Sequence, residues 1–186
     1  SCGVGNTCPK ATEGCKSACL NTAGRGGIMK QGETTNVIQE ARKRKTRLFF
    51  NDREQFMHML FKDIRAAKTR AAKLGLIPVF RLNGTSDLSW EKYKLNNKNV
   101  FETFPELQFY DYTKINNRKV GHLNNYHLTF SKADGNDMDV RIAASNGMNV
   151  AVVFNKELPA QYIGRPVVDG DETDLRFLDP KGVIVG

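Results

Sequence analysis

The chain has 186 residues, 40% hydrophobic and 26% charged, with a formal net charge of +8 at pH 7. That is one domain's worth of sequence with enough apolar material for a core, which excludes a disordered, fibrous or staple-dependent chain. No apolar run approaches membrane-spanning length and no secretory leader is visible, so the expectation is a reducing compartment, no membrane, and some affinity for polyanions.

Residues 1–33 form a Cys- and Gly-rich loop region. All four cysteines lie here, Cys2, Cys8, Cys15 and Cys19, the last three as Cys8-Pro9-x5-Cys15-x3-Cys19-Leu20. Thiols crowded this way exist to hold something, since apolar packing gives no reason to cluster them. An iron–sulfur cluster fits first, zinc second, and disulfides or inert thiols third. Tighter C-x2–4-C pairs are usual for structural zinc, and the six-residue gap counts against it.

From Thr34 to Arg47 the pattern turns helical and basic, with Ala41-Arg-Lys-Arg-Lys-Thr-Arg47 carrying five cations in seven residues. Asn51-Asp-Arg-Glu54 reads as a capping box opening a long amphipathic helix. Its expected core face is Phe56, Leu60, Ile64, Ala67, Ala71 and Leu74, and Gly75 closes it. Strands are predicted at 78–83, 107–112, 126–130, 149–154 and 183–185, with helices near 100–104 and 138–146 between them. Alternating strands and helices predict a single α/β domain over 1–186, either a partial (β/α) barrel or an open, mostly parallel sheet with outer helices. The opening at Ser1-Cys2 without Met, and the strand-like tail at 182–186, suggest truncation at both ends.

Several motifs together resemble the bacteriophage proteins of the gene-product-88 type: Cys8-Pro-x-Ala-Thr-x-Gly-Cys15-x3-Cys19-Leu, Arg42-x-x-Lys45-Thr46, Arg81-Leu-Asn-Gly-Thr-Ser-Asp87, Gln108-Phe-Tyr-Asp-Tyr-Thr-Lys114, Asn125-Tyr-His-Leu-Thr-Phe-Ser131 and Gly170-Asp-Glu-Thr-Asp-Leu-Arg-Phe-Leu-Asp-Pro180. This likeness spans nearly the whole chain and implies a phage protein working in the host cytoplasm. The three-cysteine loop ahead of a βα array also resembles, at a distance, the radical S-adenosylmethionine enzymes. In those, three thiolates ligate a [4Fe–4S] cluster and the remaining iron binds the cofactor's amino acid end. Their usual spacing is C-x3-C-x2-C with an aromatic beside the last Cys, and a Gly-Gly-Glu strand end holds the amino group. Here the spacings are six and three, Leu20 follows, and Asn83-Gly-Thr-Ser-Asp87 stands in the strand-end position.

Polar residues at predicted strand ends converge on one rim in parallel α/β folds. On that basis Cys8, Cys15 and Cys19, with Cys2 as a fourth donor, are the candidate metal ligands. Asn83, Ser86 and Asp87 are candidates for holding the S-adenosylmethionine amino acid group, and Asp111, Lys114 and Glu172 for facing the substrate. The rival reading is a metal-braced, non-catalytic nucleic-acid-binding protein gripping phosphates through Arg42, Lys43, Arg44, Lys45 and Arg47. Arg81 and Arg176 are read as salt-bridge partners of the acidic strand ends. His58, His122 and His127 show no ligand spacing, and Trp90, Phe109 and Phe130 read as packing. No Walker loop, dinucleotide fingerprint or nucleophile elbow is present.

Overall fold

A computed structural model describes residues 3–186; Cys2 lies outside the described residues. The chain forms a mixed α/β fold around a seven-stranded sheet of order β1-β2-β3-β4-β7-β6-β5. The strands are β1 (Val79–Phe80), β2 (Gln108–Thr113), β3 (Tyr126–Ser131), β4 (Asn149–Ala151), β5 (Gln161–Tyr162), β6 (Arg165–Val168) and β7 (Ile184–Val185). Every pairing is parallel except the β5–β6 hairpin. The helices are α1 (Glu13–Ser17), α2 (Val37–Asn51), α3 (Arg53–Lys73), α4 (Val100–Thr103) and α5 (Asp137–Ser145).

The sheet register assigns its two faces. Phe80, Phe109, Tyr126, Phe130, Val150, Ile184 and Val167 fall on one side, while Tyr110, Tyr112, His127, Thr129, Ala151, Val168 and Val185 fall on the other. The first side takes the helices. Met57, Phe61 and Ile64 of α3 and Val100 and Phe101 of α4 pack with Phe109, Tyr126 and Leu128. Val140, Ala143 and Ala144 of α5 pack with Phe130, Val150 and Ile184. Phe109, Phe130, Val150 and Ile184 are wholly buried, each contributing about 1.5–3 kcal/mol of apolar burial. The second side is covered by a 3-10 turn at Arg176–Leu178 and otherwise opens into a cavity.

Local chemistry shifts several predicted boundaries. Asn51 is the last residue of α2, and Asp52 caps α3 by accepting from the Gln55 N–H at 3.0 Å. The N-cap expected at Asn51 is therefore Asp52, one residue on and without the reciprocal half of a capping box, because α2 runs on to the very start of α3. The buried stripe of α3 moves with it. Met57, Phe61 and Ile64 are buried, Phe56 and Leu60 flank them, and Leu74 is exposed. Gly75 closes the helix at φ +65°, a conformation glycine adopts without penalty. Strand β1 is only two residues long because the chain after Phe80 turns to build the Asn83 loop described below.

Candidate functional site

The C-terminal ends of the parallel strands and the N-terminal loop enclose one cavity of about 1030 Å³. Cys8, Cys15 and Cys19 all line it, as do Asn83, Ser86, Asp87 and Lys114, and on the far strands Val152, Phe154, Gly170 and Asp171. The cysteine loop crosses the ends of β1 and β2. The Thr7 carbonyl accepts from the Asp87 N–H at 2.7 Å, and the Cys8 thiol approaches the Thr85 carbonyl at 3.6 Å.

Each sulfur sits among polar neighbours. Cys15 accepts from the Thr12 hydroxyl at 3.2 Å; Thr12 also caps α1 through the Cys15 N–H. Burial opposes ionisation of Cys15, but the Thr12 hydrogen bonds and the adjacent Lys114 ammonium lower its pKa. Burial raises the pKa of Cys8, and the charges of Asp87 and Cys19 push the same way. Cys19 accepts from the Asn21 N–H at 3.4 Å. The three thiols are free. No group of three His, Cys, Asp or Glu side chains gathers round a single point among the described residues.

Helix α2 holds the loop from behind. Asn36 Nδ2 donates to the carbonyls of Gly26 (3.0 Å) and Ile28 (2.9 Å), Gln39 Nε2 to Gly26 (2.7 Å), and Arg42 to the Asn21 carbonyl (3.0 Å) and side chain (3.1 Å). The spacing of three residues puts these groups on one helix face. Glycine is required in the clasped turn, since a Cβ on Gly27 would lie 2.1 Å from the Thr22 carbonyl oxygen.

Behind Asp87 lies a buried polar network. Asp87 accepts from the Thr113 hydroxyl (2.7 Å) and the Lys114 N–H (2.8 Å). Arg118, whose side chain is 1% exposed, pairs with Glu91 at 2.5 Å and donates to the Tyr126 hydroxyl at 2.9 Å. Tyr126 in turn donates to Asp111 at 3.1 Å. Asp111 also accepts from the Asn83 N–H at 2.7 Å, and burial pushes its pKa up to about 7.

These bonds redistribute the roles expected from sequence. Asp111 is fully buried on the helix-covered face and does not line the cavity, so it braces the Asn83 loop instead of facing a substrate. Glu172 is exposed and also does not line the cavity; its neighbour Asp171 does. Lys114 lines it, reaching the Ser131 hydroxyl at 3.3 Å. Asn83 is 3% exposed, and its side-chain oxygen accepts from Ser86, the Leu88 N–H and the Trp90 indole. Asn83 therefore organises the loop, and Asp87 is likewise committed to its protein partners. Of the basic run, Arg42 is spent on the loop and Lys43 pairs with Glu40 at 2.8 Å, while Arg44, Lys45 and Arg47 are exposed.

Arg81, Tyr112 and Arg176 also line the cavity, although sequence suggested no more than salt bridging for the two arginines. Arg81 stacks on the Tyr112 ring with its guanidinium 4.7 Å from the centroid. Arg81 follows β1 directly and Arg176 falls within a run of acids, so a strand-end rule extended to cations would have found the first but not the second.

Among the described residues, no helix is long and apolar enough to cross a membrane. No curated protein and no solved structure matches the chain, so the likeness to radical S-adenosylmethionine enzymes rests on the cysteine loop alone. The profile of the family described as Gene product 88 matches residues 1–186, and the chain belongs to the gene product 88 family that its motifs resemble.

Proposed function

We propose that this phage protein carries a [4Fe–4S] cluster on Cys8, Cys15 and Cys19 and acts in the host cytoplasm as a radical S-adenosylmethionine-like enzyme or a descendant that kept the cluster. The observation that carries this reading is that all three thiols, brought from a twelve-residue loop, line one large cavity over the C-terminal ends of parallel strands. Enzymes of parallel α/β folds work at that end.

A cluster takes one thiolate per iron and spreads its ligands, whereas zinc needs its donors about 2.3 Å from one centre. Cys8, Cys15 and Cys19 share the cavity wall but do not gather round one point among the described residues, so the loop would have to draw them together to hold either group. Thr12, the Asn21 N–H and the Lys114 ammonium stand ready to stabilise negative sulfur. When bound, a cluster with an open iron supplies one electron to a sulfonium cofactor. Ser86 and Lys114 line the same cavity as the three thiols and would be available to orient such a cofactor.

Anaerobic reconstitution tests the reading. About four irons and four sulfides per chain are expected, with a thiolate-to-iron absorption band that is lost in Cys8→Ser, Cys15→Ser and Cys19→Ser. Stoichiometric zinc without iron, or iron retained in all three variants, overturns it.

A second reading has its own observation: Arg44, Lys45 and Arg47 are exposed and form no ion pair among the described residues. As a nucleic-acid surface they would bind with a steep dependence on salt. The slope should become shallower by about 0.9 for each phosphate left unneutralised in Arg44→Ala, Lys45→Ala or Arg47→Ala. Binding that does not respond to these changes removes this reading.

A further inference from the structure

The face of the sheet turned away from the helices carries polar groups that the cysteine loop does not use. Arg176 is 1% exposed yet lines the cavity. Its Nη2 donates to the carbonyls of Gly170 and Thr173, and its Nε faces Asp179 at 3.4 Å without forming a hydrogen bond. Nη1 takes no hydrogen bond among the described residues. A Cβ on Gly170 would come within 3.1 Å of it, so the glycine leaves that nitrogen uncovered. Arg81 lies across the Tyr112 ring and makes no ion pair among the described residues. Tyr112 feels both guanidiniums, which partly offset the effect of burial in raising its pKa.

The same face holds buried polar atoms that form no hydrogen bond: His127 Nε2, Thr129 Oγ1, and Arg176 Nε with Asp179 Oδ2, which face each other as an ion pair. Buried polar groups are nearly always paired, and of these residues only Arg176 lines the cavity, so it is the one that a polar guest would meet. Asp179 neutralises part of the Arg176 charge, and Asp174 stands on the cavity wall near Tyr112. Arg81 has no such compensation. An exposed guanidinium held over an aromatic ring, with a buried one lining the same cavity and offering a spare nitrogen, is suited to a planar or tetrahedral oxyanion.

We propose that Arg81 and Arg176, with the Tyr112 hydroxyl, form an oxyanion subsite that takes a carboxylate or phosphate group of the substrate. This names the substrate class of the cavity described above and rests on that cavity being the working site. It does not require iron.

Calorimetric titration of the full chain at low ionic strength with pyrophosphate, inorganic phosphate and citrate, against a chloride control, tests it. One saturable site is expected for at least one oxyanion, with pyrophosphate or citrate the tighter according to whether the natural group is phosphate or carboxylate. Arg81→Gln should weaken it by about 10- to 100-fold, the range for a hydrogen bond to a charged group. Arg176→Lys should weaken it as well. The combined Arg44→Gln, Lys45→Gln, Arg47→Gln variant should bind as the parent does, and so should the parent chain prepared without iron. Binding by that iron-free chain supports the subsite even if no cluster forms. The proposal is overturned if no oxyanion binds beyond the chloride control, if the folded Arg81→Gln protein binds undiminished, or if the basic-helix variant abolishes binding.

Discussion

Asp111 shows how one buried carboxylate reports on the loops above it. Its oxygens hold the Asn83 N–H and the Tyr126 hydroxyl, and burial raises its pKa from 3.8 to about 7. A raised value means that the folded state binds this proton more tightly than the unfolded chain does. The stabilisation is complete below about pH 3.8, declines as pH rises, and is gone above about pH 7. The full span is at most on the order of 4 kcal/mol. Asp111→Asn keeps an acceptor for Asn83 and removes the titration. Urea midpoints of the two proteins should therefore move apart steadily between about pH 4.5 and 8, with the variant gaining. A difference that stays flat with pH would show that Asp111 is not the titrating group. From sequence, Asp111 looked like a rim residue. Alternation correctly set it opposite Tyr110 and Tyr112, but nothing in the sequence said which face held the cavity.

At the level of elements, α2 is the link between sequence and site. Its basic composition suggested a phosphate-binding face, yet Asn36, Gln39 and Arg42 turn inward and bind the carbonyls of the cysteine loop. The signal was present as polar residues at three-residue spacing, but a solvated face has the same pattern. Arg42→Ala leaves the Asn21 carbonyl without its donor, at a cost of about 1.5 kcal/mol. Because Asn21 also supplies the N–H to the Cys19 sulfur, local opening should follow. Alkylation of Cys19 should quicken by roughly tenfold while the global unfolding midpoint changes little; an unchanged rate would mean that the loop holds itself. The strands of the parallel core were legible because apolar runs bounded by polar turns leave few alternatives. The β5–β6 hairpin was not. Its two-residue turn is Ile163-Gly164, with φ of +47° and +75°. A β-branched residue in the left-handed region is contrary to every turn preference, so no composition rule would have placed a turn there.

For the whole molecule, two apolar clusters share one face of the sheet, with Met148 packed against both. Helices on that side alone leave the other free to form a cavity roofed by the cysteine loop. Sequence alternation gave the α/β class and the largely parallel sheet, because strands separated by helical segments can close in few other ways. It did not give the order in which the last strands enter, which depends on long-range pairing. Ile184 is wholly buried between Val150 and Val167. Ile184→Ala should cost about 2–5 kcal/mol, seen as a lower urea midpoint with an unchanged slope. A loss below about 1 kcal/mol would mean that β7 is peripheral to the fold.

That position of β7 has a consequence for biosynthesis. Both of its neighbours, β4 and β6, leave the ribosome earlier, so each must wait with an unpaired edge until the intervening segment arrives. Completion of the sheet is thus a late event, and while it is pending the two waiting edges are open to adhesion with other nascent chains. Short strands on either side, three residues in β4 and four in β6, keep that hazard small.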